Sequence, residues 1–181
     1  SFWSGNVSYT YSVAKGRYSS PTEGYRYATE GLAINLGEDN YLDWDQRHTA
    51  DAHLTLEMGR GEGPMVAGYS VLEGSSVSLD WTWGSGFPYS PPPAESAIVQ
   101  VNTERYPWTM QTDLGISRKI WAGPVTLEVG MTVYNLFNRS NLDKIYDVQW
   151  YNQSGEPGGE AMNPGSWSPA RHAVLRMGLS W

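Results

Sequence analysis

Every second residue from Trp3 to Val13 is aromatic, aliphatic or glycine (Trp3, Gly5, Val7, Tyr9, Tyr11, Val13), and small or polar residues lie between them. A strand turns successive side chains to opposite faces, so this run describes a strand with one apolar and one polar side. The pattern returns at 47–58, where Ala50, Ala52, Leu54, Leu56 and Met58 oppose Arg47, Thr49, Asp51, His53, Thr55 and Glu57. It returns at 76–83 (Val77, Leu79, Trp81 and Trp83 against Ser76, Ser78, Asp80 and Thr82), at 125–133 (Val125, Leu127, Val129, Met131, Val133), and at the chain end (Ala173, Leu175, Met177, Leu179, Trp181). At 108–116 it is imperfect, because Thr112 interrupts Trp108, Met110, Leu114 and Ile116. About six strands result, several about 9–12 residues long where a globular strand is nearer 5 or 6. That length suits a tilted strand crossing a bilayer, which takes about 9–11 residues.

The connections alternate as well. Long stretches follow the first, third and fifth strands, the last of them expected to hold a small hairpin around "DKIYDVQWY". A tight "WAGP" joins the fourth and fifth strands, and the intermediate "GRGEGPMVAGYSVLEGS" joins the second and third. Structureless loops of that length are disfavoured in compact domains, whereas outer-membrane barrels pair long external loops with short periplasmic turns. Loop parity then places Trp181 at the periplasmic rim. Aromatic residues gather at strand ends (Trp3, Trp44, Tyr106, Trp108, Trp121, Trp181), as an interfacial girdle would have them. No apolar run reaches the roughly 18 residues of a membrane helix. A net charge of -7 gives a nucleic-acid backbone no basic face, and the absence of cysteine excludes disulfides and thiolate metal sites.

Four stretches resemble the TonB-dependent outer-membrane receptors, in the carboxy-terminal part of their barrel. "YLDWDQRHTADAHLTL" resembles a strand opening on Asp-Gln-Arg-His, and "WTWGSGFPYSPP" a strand ending in Ser-Gly-x-Pro-Tyr. "VGMTVYNLFNRSN" is similar to the late strand closing on Asn-Leu-Phe-Asn, and "SPARHAVLRMGLSW" to the final strand with its terminal aromatic. The resemblance implies an all-β fold over 1–181: an antiparallel up-and-down transmembrane β-barrel segment of about six long strands with long alternate loops. Barrels close with about eight strands or more, so the barrel is incomplete, and the plug domain and the region contacting TonB are expected to lie outside this chain.

On that reading Asp51, His53, Glu57, Asp80, Glu128 and Arg176 are polar residues facing the barrel lumen. Asp51 and His53 share a face with Asp80 on the next strand, which is part of the geometry of a triad or a weak metal site. No serine in a nucleophile-elbow setting and no suitably spaced third ligand accompany them, so no catalytic group, metal or cofactor is expected. The resemblance makes Leu175, Met177, Leu179 and Trp181 the strand read by the barrel-assembly machinery. The implied function is TonB-energised uptake of a scarce solute, such as a siderophore, vitamin or oligosaccharide, across a Gram-negative-type outer membrane. The implied partners are outer-membrane lipid, the small-molecule ligand, TonB and the assembly machinery, with no nucleic acid. The alternative from composition and period alone is a soluble β-sandwich that binds carbohydrate on exposed aromatic residues.

Overall fold

The computed structural model describes residues 2–30, 39–91, 101–143 and 164–181. Six long strands dominate it: β1 (Trp3–Tyr11), β2 (His48–Glu57), β3 (Ser75–Gly84), β4 (Thr109–Ala122), β5 (Val125–Tyr134) and β6 (His172–Ser180). Each pairs antiparallel with the next in chain order, forming one up-and-down sheet with β1 and β6 at its edges. Among the described residues the sheet is open, and β1 and β6 do not pair with each other. The connections that follow β1, β3 and β5 start from and return to one end of the sheet, here the loop end, and residues 58–74 and 123–124 cross at the opposite, turn end.

The registers keep the alternation in phase from edge to edge. Gly5, Leu54, Leu79, Leu114, Val133 and Ala173 form one transverse row, and Trp3, Leu56, Val77, Ile116, Met131 and Leu175 the next. A slip of one residue anywhere would have turned that strand's apolar set to the other side. The opposite face carries Asn6, His53, Asp80 and Asp113 in one row and Ser4, Thr55, Ser78, Gly115 and Thr132 in the next.

Three local features differ from the periodicity. β4 runs six residues beyond Ile116, to Ala122, because Gly123 at φ 63° closes a tight hairpin with Ala122 opposite Val125. Trp121 therefore lies on the polar face, not in an apolar girdle, with Arg60 over its ring at 5.6 Å. β1 stops at Tyr11 rather than reaching Val13, because the Ala14 N–H turns to the Asp45 carboxylate at 2.6 Å. An α-helix, α1 (Glu23–Glu30), interrupts the all-β pattern; its Glu23 accepts the Ser19 N–H at 2.5 Å at the start of the helix. Two-residue ladders join Lys15–Gly16 to Asn40–Tyr41, Met65–Val66 to Tyr69–Ser70 and Pro88–Tyr89 to Glu104–Arg105. The hairpin expected around "DKIYDVQWY" lies outside the described residues beyond Asp143.

No apolar core forms among the described residues. Among the described residues the only buried hydrophobic side chain is Tyr89, while Val7, Leu54, Leu175 and Met177 are at least half exposed. No second sheet covers the apolar face among the described residues. The buried groups are polar instead: Asp45, Asn102, Thr112, Asn135, Asn141 and Ser166.

Candidate functional site

Two arrangements of polar residues stand out, one along the polar face and one at the loop end. On the polar face the ladder sets His53 opposite Asp80, and its Nδ1 lies 2.6 Å from Asp80 Oδ1. The other ring nitrogen, Nε2, is 2.8 Å from Thr55 Oγ1, so a hydroxyl, an imidazole and a carboxylate stand in line. Asp51 is a neighbour on the same strand but not a member, since among the described residues it accepts only the Ser8 hydroxyl, at 3.4 Å. The line has the order of a nucleophilic relay without its oxyanion site: β2 is paired on both sides, so the backbone N–H groups beside Thr55 are spent in the ladders. What the geometry does provide is a hydrogen-bonded, solvent-accessible polar wall.

Farther toward the turn end, Ser76, Ser78, Gly115, Ser117, Gly130 and Gly178 floor a recess on this face, with Glu128 and Arg176 at its margin. A Cβ at Gly115 would lie 2.5 Å from Ser78 Oγ, so the floor is already at contact. Arg176 donates to the Tyr134 hydroxyl at 3.4 Å, and Glu57 and Glu128 form no ion pair among the described residues. No group of His, Asp and Glu able to hold a metal occurs among the described residues. Leu175, Met177 and Leu179 occupy the apolar side of the edge strand β6, Trp181 follows one residue beyond its end, and all four are exposed.

The loop-end assembly was not foreseen from the sequence. Asp45, almost wholly buried, accepts the Ala14 N–H, Arg47 Nε at 2.9 Å and the Arg105 guanidinium. Arg105 also donates to the carbonyls of Asp45 at 2.8 Å and Gly86 at 3.1 Å, which ties the first long connection to the second. Burial pushes the Asp45 carboxyl up. The Ala14 N–H and the guanidinium groups of Arg105 and Arg47 pull harder the other way and hold it below its ordinary value. Asn102, at φ 54°, reaches across to the Tyr41 carbonyl at 2.7 Å and Asp43 Oδ1 at 2.8 Å. Lys15, Arg47 and Arg105 lie 4.7, 4.2 and 5.4 Å from the Tyr41 ring centre. The hydrogen bond and charge of Arg47, with the charge of Lys15, lower the Tyr41 phenol from its usual value.

The quoted motifs are the parts of this assembly. Gln46 Nε2 donates to the Ser85 carbonyl at 2.9 Å, the His48 N–H to Ser85 Oγ at 3.1 Å, and the Ser85 N–H to the His48 carbonyl at 2.8 Å. A Cβ at Gly86 would fall 1.6 Å from the Tyr106 carbonyl oxygen, so only glycine fits there. In the third connection Asn135 and Asn138 take positive φ, 52° and 51°, which Asn tolerates better than most residues. Asn141 exchanges a bond pair with the Met110 backbone at 3.0 and 2.8 Å, as a neighbouring strand would. Over this junction open two adjoining clefts that share Phe87, Thr109, Leu142 and Asp143. No family model, curated protein or solved structure matches the chain.

Proposed function

We propose that the chain is a segment of a transmembrane β-barrel in a Gram-negative-type outer membrane, from the carboxy-terminal part of a TonB-dependent receptor that takes up a scarce solute. One observation carries the reading: a continuous apolar face, one sheet wide and without a covering layer among the described residues, whose strands slip past one another in steady steps. The row from Gly5 to Ala173 begins two residues from the turn end of β1 and finishes one residue from the loop end of β6. Strand mid-points therefore slip by about one residue per strand. A rise of about 3.3 Å against a strand spacing of about 4.8 Å inclines the strands by about 35°, at the edge of the 35–45° range of barrels. At that tilt the nine residues of β1 span about 24 Å of membrane normal, close to the roughly 25 Å apolar band of an outer-membrane barrel.

In water such a face would aggregate, because soluble monomers rarely expose apolar patches beyond a few hundred Å². In a bilayer it meets acyl chains while each backbone group pairs within the sheet or with strands outside this chain. The polar face, with His53 and Asp80, then lines the lumen, and the clefts at the loop end open to the outside. Ligand capture would fall to those clefts and uptake to a plug outside this chain, so the function needs no bond-making chemistry here. Aggregation or heterodispersity in buffer, with dispersal and β-sheet circular dichroism in detergent micelles, is the expected behaviour. A monodisperse detergent-free monomer would sink the reading and favour the soluble carbohydrate-binding sandwich.

A further inference from the structure

We infer that the loop-end rim of the apolar face, between β4 and β6, binds the phosphate group of a membrane lipid through Arg139 and Arg171. The inference rests on the membrane reading above. Trp108 continues the apolar phase of β4 (Met110, Thr112, Leu114) by one position beyond the strand, and Arg171 does the same for β6 (Ala173, Leu175). The Arg139 guanidinium lies 3.6 Å from the Trp108 ring centre, and donates to Asn141 Oδ1 at 3.1 Å and to the Trp108 carbonyl at 3.3 Å. One turn fixes both arginines: the Arg139 N–H donates to Asn135 Oδ1 at 2.9 Å, and the Arg171 N–H to Asn138 Oδ1 at 2.8 Å. Phe137, in the same turn, is 65% exposed.

Neither guanidinium meets a carboxylate among the described residues; Arg47 and Arg105, by contrast, are both spent on Asp45. Among the described residues the Arg171 side chain makes one long bond, 3.4 Å to the Leu136 carbonyl, out of five possible donors. In a chain of net charge -7, two guanidinium groups without a carboxylate partner among the described residues stand at one rim. Lipid phosphates lie at the level where the apolar face ends and aromatic residues mark the interface. A guanidinium takes phosphate oxygens in a bidentate fork and stacks on an aromatic face at the same time. The arrangement therefore suits an anchored phosphate, held with its acyl chains along Ala173, Leu175 and Met110.

The test uses the full chain refolded in detergent and transferred to vesicles of phosphatidylcholine, with or without a bisphosphorylated glycolipid. Glycolipid retained per protein after detergent removal is read by mass spectrometry. The unaltered chain should enter both kinds of vesicle and retain the glycolipid. Arg171→Gln, which disturbs almost no internal bonding, should lower retention about tenfold, as loss of a charge-assisted contact does. Arg139→Gln should do so at least as strongly, and Arg118→Gln, near the opposite rim, should change nothing. Undiminished retention by Arg171→Gln and Arg139→Gln together overturns the proposal, as does full competition by inorganic phosphate, which would make this a soluble-anion site. Failure to enter pure phosphatidylcholine vesicles would overturn the membrane reading itself, and the lipid site with it.

Discussion

Asp45 shows how much a single side chain decides at the loop end. It is the shared acceptor for the backbone of one connection and the guanidinium of another, and burial leaves it no water to substitute for either. Asp45→Asn should cost about 3 kcal/mol, because two guanidinium groups then lose their counter-charge in a buried site. The direction of the pKa sets the pH window. Asp45 titrates below its ordinary value of 3.8, so its contribution is complete above that value and is lost as pH falls below it through the depressed one. Proteolytic protection of the first two long connections should therefore hold from neutral pH to about pH 4 and fail below, while Asp45→Asn should be open at every pH. Equal protection of both chains at pH 7 would contradict this role. "DWDQRH" and "GSGFPYS" are recognisable as motifs in the sequence, but that they bond to each other is not, since 37 residues separate His48 from Ser85.

At the scale of one strand, the two faces of β1 make opposite predictions. Val7 stands midway along the apolar side and Ser8 on the polar side beside Asp51. In lipid vesicles Val7→Arg should cost about 2–4 kcal/mol, the penalty of a cation near the bilayer midplane. Ser8→Arg should change stability by no more than about 0.5 kcal/mol. Urea titration of the refolded chain in vesicles measures both, and equal effects would mean that the apolar face does not meet lipid. Strands with strict alternation were legible almost to their ends, because period 2 is a local property of the backbone. β4 was not, since Arg118 on the apolar side and Trp121 on the polar side break the pattern, and only the hairpin to Val125 shows that the strand continues. Thr112 shows the same limit. It interrupts the apolar stripe in the sequence, and in the fold it is buried with its hydroxyl unpartnered among the described residues.

For the whole molecule, the slip of about one residue per strand is the quantity that separates a barrel wall from a flat sheet. Polarised infrared spectra of the chain in oriented bilayers should give a strand tilt near 35°. Strands aligned with the membrane normal would refute the geometry from which the apolar band's height was obtained. Of the two edge strands, β1 contains no charge or proline and β6 contains one arginine, Arg176, so β1 lacks the charges and prolines that commonly keep an exposed edge from pairing. The amino-acid sequence by itself determined which residues share a face, how many long strands there are and which connections are long, because these follow from side-chain alternation and turn chemistry within a few residues. Only the tertiary structure decided the slip between neighbouring strands, the His53–Asp80–Thr55 line and the Asp45 junction, because alternation fixes which face a residue takes but not which residue of a distant strand or loop stands opposite it.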